Sequence, residues 1–414
     1  MRLVSKMSLI TFIFIVLRFL LAQTAQVKTG LDNVEQYQSL FKGKKLGLIT
    51  NHTAYNRQGR HIIDVMAELP GVQITALFGP EHGIRGQADA GQGVNSTRDS
   101  TINVPIYSLY GKTRKPTTEM LKNVDMLVFD IQDIGARFYT YIWTMALAME
   151  AAAEHNIEFV VLDRPNPING LAVEGNLLDT TFSSFVGLFP IPVRHGMTVG
   201  ELARLFNEQG WLKTKQKLCL TVIPVSGWKR SMWYDQTGLP FIKPSPNMPD
   251  LQTATVYPGI CLLEGTNISE GRGTLTPFMY FGAPWINADS LAVWLNRLNL
   301  PGVWFKATVF TPVSIPGMSS QPKYENKRCN GVQIEITDRN LFEPYWSGIR
   351  IVELIYQHYQ SHFEWRVNHF DRLCGTDAIR NAIIEGTDFT RLRRQWEKRL
   401  NEFMRLRNKF LLYE

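Results

Sequence analysis

The sequence is poor in cysteine and lacks the short motifs that mark metal-dependent or serine hydrolases. Only 4 of its 414 residues are cysteines, and they are too widely spaced for a CxxC zinc pair or a dense disulfide framework. The HExxH pattern of zinc hydrolases and the GxSxG turn of serine hydrolases are both absent. We therefore expect free, buried cysteines and no metal ion.

A dinucleotide-binding turn is also missing. That turn needs a GxGxxG sequence directly after the first strand, so that backbone amides can approach a pyrophosphate. Here the first predicted strand, residues 45–51, runs into Asn51, His52 and Thr53 without these glycines. The glycines between residues 83 and 93 follow a later strand and precede no helical pattern. The sequence therefore predicts no nucleotide and no cofactor.

The N-terminal segment has the pattern of a signal peptide. Arg2 and Lys6 precede an apolar run from Leu9 to Leu21, and small or polar residues follow at positions 22–25. The run is shorter than the roughly 20 residues that a membrane-spanning helix needs. We therefore expect cleavage near Ala22 or Ala25, no stable membrane span afterwards, and a periplasmic or secreted protein. Part of the formal net charge of +7 leaves with this segment, so nucleic acid is not an expected partner.

Strand-like and helix-like patterns alternate through the first half of the chain. Short apolar runs at residues 45–51, 72–78, 125–130 and 158–163 predict strands, and helical spacing at 62–69 and 144–155 predicts helices between them. This alternation is typical of an α/β fold with a Rossmann-like parallel sheet. Because the mature chain exceeds what one core usually supports, we predict a Rossmann-like catalytic domain at residues 26–283. A smaller α+β domain is predicted at residues 284–414.

Polar side chains cluster where the predicted strands end. In chain order these residues are Asn51, then Glu81, His82 and Arg85, then Asp130, Asp133, Arg137 and Tyr139, and finally Asp163, Arg164 and Asn166. Parallel strands end at the same edge of a sheet, where ligands of α/β domains bind. The sequence therefore predicts a polar ligand site at this edge.

A second dense polar stretch follows a later apolar run. We predict residues 258–263 as a short strand that opens into a glycine-rich loop. The loop carries Glu264, Asn267, Glu270 and Arg272. Its glycines allow positive φ angles and a close approach to a ligand.

Five segments together resemble the signature blocks of the NamZ-type exo-β-N-acetylmuramidases. They are residues 47–51, 78–86, 130–141, 163–167 and 264–274. The resemblance implies a glycoside hydrolase that removes N-acetylmuramic acid from the non-reducing end of peptidoglycan fragments. It also implies a Rossmann-like domain joined to a smaller C-terminal domain, with the active site in the cleft between them. The implied partners are peptidoglycan-derived saccharides that end in N-acetylmuramic acid.

Glycoside hydrolysis generally uses two carboxyl groups, one as acid and one as base or nucleophile. Glu81 is the first choice for the acid, because apolar neighbours favour a carboxyl that keeps its proton. His82 would orient Glu81 or bind the leaving sugar. For the second carboxylate we rank Glu264 and Glu270 above Asp130, which suits a local capping role equally well.

The lactyl carboxylate of N-acetylmuramic acid calls for a cationic partner, preferably an arginine. The candidates are Arg85, Arg137, Arg164 and Arg272, although each of them could instead pair with Asp130, Asp133 or Asp163 and hold the loops. Asn51, Tyr139 and Asn166 are candidates for sugar hydroxyl or acetamido contacts, with Asp130 as a further substrate contact. A non-catalytic wall-fragment binding protein on the same frame is the rival hypothesis, and it would not require Glu81.

Overall fold

The computed structural model describes residues 26–86, 97–99 and 101–414. The predicted signal peptide, residues 1–25, lies outside the described residues. Within the described ranges, no helix combines the length and apolar character needed to cross a membrane.

The N-terminal part is built on a sheet of seven strands within the described residues. They are β1 (Lys45–Thr50), β2 (Gln73–Gly79), β3 (Thr97–Arg98), β4 (Pro105–Ser108), β5 (Met126–Asp130), β6 (Glu158–Leu162) and β7 (Leu220–Ile223). Their order is β3-β4-β2-β1-β5-β6-β7, and only the β3–β4 pair is antiparallel among these strands. The chain builds outward from β1 on one side and then returns to place β5 on the other. This arrangement confirms the Rossmann-like α/β prediction and makes the β1–β5 boundary the switch point.

Neighbouring side chains of the central strands enter two separate cores. In β5, Leu127 and Phe129 belong to one hydrophobic cluster, whereas Met126 and Val128 belong to another. Successive strand side chains point to opposite faces, so the continuous apolar run of β5 reflects burial on both faces. The helices that accompany this sheet are α1 (Gln38–Phe41), α2 (Ile62–Ala67), α3 (Thr118–Leu121), α4 (Tyr141–Glu154) and α5 (Val199–Glu208).

The C-terminal part combines helices with a three-stranded antiparallel sheet of order β8-β10-β9. Its elements are α6 (Leu251–Ile260), β8 (Tyr280–Ala283), α7 (Ala288–Arg297), β9 (Val303–Phe310), β10 (Cys329–Ile336), α8 (Pro344–Tyr359), α9 (Val367–Cys374), α10 (Ala378–Glu385) and α11 (Phe389–Arg407). The larger hydrophobic cluster includes Phe129 of β5 as well as Tyr345 of α8. One continuous core therefore joins the two parts and fixes the space between them.

The apolar run before Glu264 is helical, so the strand predicted there is wrong. Helix α6 ends at Ile260, and a 3-10 segment continues from Cys261 to Gly265. Residues 253–263 are all buried, so the run has no polar face and its periodicity does not distinguish helix from strand. A Cβ at Gly259 would collide with the carbonyl oxygen of Pro344. This glycine therefore allows α6 and α8 to cross in close contact.

Candidate functional site

A cleft between the N-terminal and C-terminal parts contains most of the predicted chemistry. Its volume is about 790 Å³, within the range of small-molecule sites. The N-terminal wall includes Glu81, His82, Tyr110, Phe138, Tyr139 and Thr140, and the C-terminal wall includes Tyr257, Glu264, Glu270, Arg272, Phe278, Lys323, Arg366 and His369. The structure thus brings together six of the residues singled out in the sequence, which are Glu81, His82, Tyr139, Glu264, Glu270 and Arg272.

Glu81 lies just beyond the carboxyl end of β2, where Pro80 ends the strand. Thr140 Oγ1 donates a hydrogen bond to Glu81 Oε2 at 2.7 Å, and the Tyr110 hydroxyl lies near Glu81. Burial, followed by the negative charge of Glu81, raises the pKa of Tyr110, so this phenol keeps its proton. Hydroxyl groups both donate and accept. Thr140 can therefore hold the carboxyl of Glu81 in either protonation state.

His82 reaches the cleft through an uncommon backbone conformation. Its φ angle is 71°, in the left-handed region that few residues other than glycine adopt. The side chain is buried and lines the cleft beside Glu81. Such backbone strain is typical of ligand sites, and here it places two polar side chains of consecutive residues on one wall.

Arg272 organises the carboxylates of the C-terminal wall. Its Nη2 lies 2.7 Å from Glu264 Oε1, and its Nε lies 3.5 Å from Glu270 Oε1. Lys323 Nζ lies 3.0 Å from Glu270 Oε2 and also donates to two backbone carbonyls. The Glu270 side chain is only 4% exposed, whereas that of Glu264 is 21% exposed. Glu264 is therefore the more accessible carboxylate.

Glu264 is held in its ionised form. Burial opposes its ionisation, but the positive charge of Arg272, the nearby His369 and a hydrogen bond from Arg272 outweigh burial and lower the pKa of Glu264 to about 2. His369 Nε2 lies 3.6 Å from Glu264 Oε2. Glu81 and Glu264 also both raise the pKa of Tyr110, so both carboxyl groups lie within electrostatic range of that phenol.

Aromatic rings form an apolar surface inside the cleft. The Tyr257 ring makes edge contacts with the rings of Phe138, Tyr139 and Phe278 at centroid distances of 5.4, 5.9 and 4.9 Å. The guanidinium of Arg272 lies 5.1 Å from the Phe278 centroid. Sugar rings present apolar C–H faces that pack on such surfaces. The cleft therefore combines opposed carboxyl groups with a surface suited to a saccharide.

Four predicted substrate contacts are instead occupied within the fold. Asp130 and Arg164 form a buried ion pair. Asn51 Oδ1 accepts two hydrogen bonds from Thr53, and Asn166 Nδ2 donates to the carbonyl oxygen of Met197. The small space beside Arg164 and Asn166 measures about 10 Å³, which is too small for a sugar. These four residues shape the sheet edge without lining the cleft.

Two of the predicted lactyl-binding arginines also lie away from the cleft wall. Arg85 is paired with Asp99 at 3.3 Å, and its side chain is 67% exposed. Arg137 is fully buried and donates to four backbone carbonyl oxygens, those of Asn176, Ile191, Leu373 and Cys374. Burial lowers the pKa of Arg137 to about 10. Its bonds tie the N-terminal part to the end of α9, so its role in the fold is to join the two parts.

Sequence reasoning missed several residues of the cleft. Tyr110 follows β4, a four-residue strand with no clear alternation, so no predicted strand end pointed to it. Tyr257 lies in α6, a helix that was not predicted and whose last three residues were assigned to a strand. Arg366 directly precedes α9 and His369 lies in its first turn, and this eight-residue helix is absent from the prediction. In each case the residue lies in or next to an element that is too short or too completely buried to show a clear sequence pattern.

Asp133 gives a test of how burial affects stability near the site. Its carboxyl is buried, Oδ2 accepts the N–H of Gly135 at 2.7 Å, and burial raises the pKa of Asp133 to about 7. Since the folded-state pKa is raised, the stabilisation of the neutral acid is complete below about pH 4 and is lost as the pH rises towards 7. The loss amounts to about 4 kcal/mol at most.

Asp133→Asn keeps an acceptor oxygen but cannot ionise. We expect its unfolding temperature, measured relative to the wild type, to rise by several degrees between about pH 5 and about pH 8.5. Thermal unfolding followed by circular dichroism at both pH values provides the comparison. A difference between the two proteins that is independent of pH contradicts the expectation.

Comparisons with known proteins agree along the length of the chain. The N-terminal and C-terminal models of exo-beta-N-acetylmuramidase NamZ match residues 46–252 and 255–413. The peptidoglycan beta-N-acetylmuramidase NamZ of Bacillus subtilis (strain 168) is 49% identical over 394 residues, which cover 95% of this chain and 92% of that protein. The two models meet between residues 252 and 255, N-terminal to the boundary predicted after residue 283.

Solved structures show the same architecture. Two crystal structures of DUF1343 family proteins from Bacteroides fragilis NCTC 9343 match with TM-scores of 0.86 and 0.79. Their sequences are 40% and 35% identical to this one. In each case the match covers 94% of this chain and 99% of the other.

Proposed function

The chain belongs to the NamZ family of exo-β-N-acetylmuramidases, which are glycoside hydrolases, and from this premise we propose that its cleft releases N-acetylmuramic acid from the non-reducing ends of peptidoglycan fragments. The observation that carries the proposal is that Glu81 from the N-terminal part and Glu264 from the C-terminal part line the same cleft. Two carboxyl groups flanking a sugar are the minimum that most glycosidases need. The aromatic surface between them supports a saccharide as the ligand.

We assign different roles to the two carboxyl groups because their surroundings differ. Arg272 and His369 keep Glu264 negatively charged, which suits a base or nucleophile that faces the developing positive charge of the sugar. Glu81 accepts a hydrogen bond from the hydroxyl of Thr140 and lies near the hydroxyl of Tyr110, which keeps its proton. It therefore suits the acid that protonates the leaving sugar.

Glu270 is the weaker candidate for the second carboxylate. Its side chain is 4% exposed and lies between Lys323 and Arg272. A carboxylate that neutralises two cations in a buried position stabilises the wall. We therefore propose that Glu270 positions Arg272, which in turn positions Glu264.

We also propose that the enzyme acts outside the cytoplasm. The predicted signal peptide supports a periplasmic or secreted enzyme, in agreement with a peptidoglycan substrate. N-terminal sequencing of the protein recovered from outside the cytoplasm is expected to begin near residue 26. Recovery of the intact N-terminus only from the cytoplasm contradicts this localisation.

The function is tested with two disaccharides that differ in their non-reducing sugar. We expect the protein to cleave the disaccharide with N-acetylmuramic acid at that end and to release the free sugar, as detected by mass spectrometry. The disaccharide with N-acetylglucosamine at that end should remain intact. Absence of hydrolysis of both, or internal cleavage of longer glycan chains as the main reaction, contradicts the proposal.

A further inference from the structure

Among the residues that the structure describes, an arginine on the C-terminal wall of the cleft lacks an acidic partner. Arg272 contacts Glu264 and Glu270, Lys323 contacts Glu270, and His369 lies beside Glu264. Arg366 also lines the cleft, but it forms no ion pair and no side-chain hydrogen bond with any residue that the structure describes. It is therefore a positive charge available to a ligand.

The backbone of Arg366 is fastened next to Glu264. The N–H of Arg366 donates to the carbonyl oxygen of Gly265 at 2.9 Å, and the preceding Trp365 pairs with Thr266 in an antiparallel bridge. One residue further back, Asn267 and Glu364 exchange two hydrogen bonds of 3.1 Å each. These bonds fix the backbone of Arg366, whereas the residue as a whole is exposed.

This combination of a fixed backbone and an exposed side chain distinguishes Arg366 from Arg137, Arg164 and Arg272. Arg137 is enclosed by four carbonyl oxygens, and Arg164 is paired with Asp130. Arg272 lines the cleft, but two carboxylates already neutralise it. A ligand carboxylate that approached Arg272 would be repelled by both glutamates.

We propose that Arg366 binds the lactyl carboxylate of the N-acetylmuramic acid residue in the cleft. This inference rests on the proposed function, because it names the residue that distinguishes the muramyl substrate from its glucosaminyl analogue. The two sugars differ by the lactyl ether and its negative charge. A guanidinium binds a carboxylate through two parallel hydrogen bonds. Arg366 is thus a specificity-determining residue rather than a member of the acid–base pair.

The test compares two chromogenic substrates that differ only in the lactyl group. One is 4-nitrophenyl N-acetyl-β-muramide with its free carboxylate, and the other is the same compound with the carboxylate converted to a neutral methylamide. For Arg366→Gln we expect KM for the charged substrate to rise about ten- to a hundredfold, with little change in kcat. The kcat/KM value for the neutral substrate should change by less than about threefold. Arg366→Lys, which keeps the charge but loses the paired donors, should fall between wild type and Arg366→Gln.

Arg372→Gln is the matched control, because Arg372 is an exposed arginine on the same helix that does not line the cleft. It should behave as the wild type on both substrates. Equal losses of Arg366→Gln on the charged and neutral substrates overturn the proposal, and so does an unchanged KM for the charged one. If the wild type hydrolyses neither compound nor the muramyl disaccharide, the proposed function itself fails. That result is distinct from a failure of the role of Arg366.

Discussion

Glu81→Gln is expected to lower kcat/KM for the muramyl disaccharide by about 10³-fold. The amide cannot give a proton to the leaving sugar, whose oxygen is a poor leaving group without one. Glutamine keeps the shape of the side chain and an oxygen that accepts the hydrogen bond of Thr140. The substitution therefore removes the proton while it preserves the contacts of the wall. Initial rates of sugar release by mass spectrometry measure the effect.

Glu68→Gln is the control for this substitution. Glu68 follows helix α2, its side chain is 67% exposed, and it does not line the cleft. Its substitution should leave kcat/KM unchanged and should lower stability by no more than about 1 kcal/mol. If kcat/KM falls by a similar factor in both variants, or if the Glu81→Gln enzyme retains most of its activity, Glu81 is not the acid.

Glu264→Gln is expected to have the second large effect, a fall in kcat of about 10³-fold. The positive charge that develops on the sugar would lose its carboxylate, and Arg272 would lose one of its two neutralising partners. Because an uncompensated buried charge is costly, we also expect a lower unfolding temperature. Steady-state kinetics and thermal unfolding separate the two effects.

Glu270→Gln is the informative partner for this experiment. Glu270 contacts the same Arg272 but is far less exposed than Glu264. We therefore expect Glu270→Gln to reduce stability about as much as Glu264→Gln and to reduce kcat much less. A Glu270→Gln variant that loses as much kcat as Glu264→Gln, or more, reverses the assignment of the two glutamates.

The sequence predicted the sheet edge well because parallel strands impose a simple rule. Residues that follow buried apolar strands must meet at one edge, and Glu81 lies there as expected. The rule says nothing about where each side chain points. Asp130 and Arg164 also follow strands, yet they face each other in a buried ion pair. Only the packed fold decides which polar group reaches the cleft.

The opposite wall was only partly predictable. Glu264, Glu270 and Arg272 stood out as a charged, glycine-rich stretch, although the helix before them was not recognised. Arg366 and His369 lie about a hundred residues further along the chain and reach the cleft through contacts between residues 265–267 and 364–366. Local sequence patterns carry no information about such long-range pairing. For this reason the arginines predicted from the sequence to bind the lactyl carboxylate did not include Arg366.

The most direct test of the account is the effect of Glu81→Gln on two muramyl substrates with different leaving groups. 4-Nitrophenolate leaves readily without protonation, whereas the sugar of the disaccharide does not. If Glu81 is the acid, the loss in kcat/KM should be about 10³-fold for the disaccharide and about tenfold or less for the 4-nitrophenyl glycoside. Equal losses on both substrates would contradict the account, because a residue that only shapes the cleft does not respond to the leaving group.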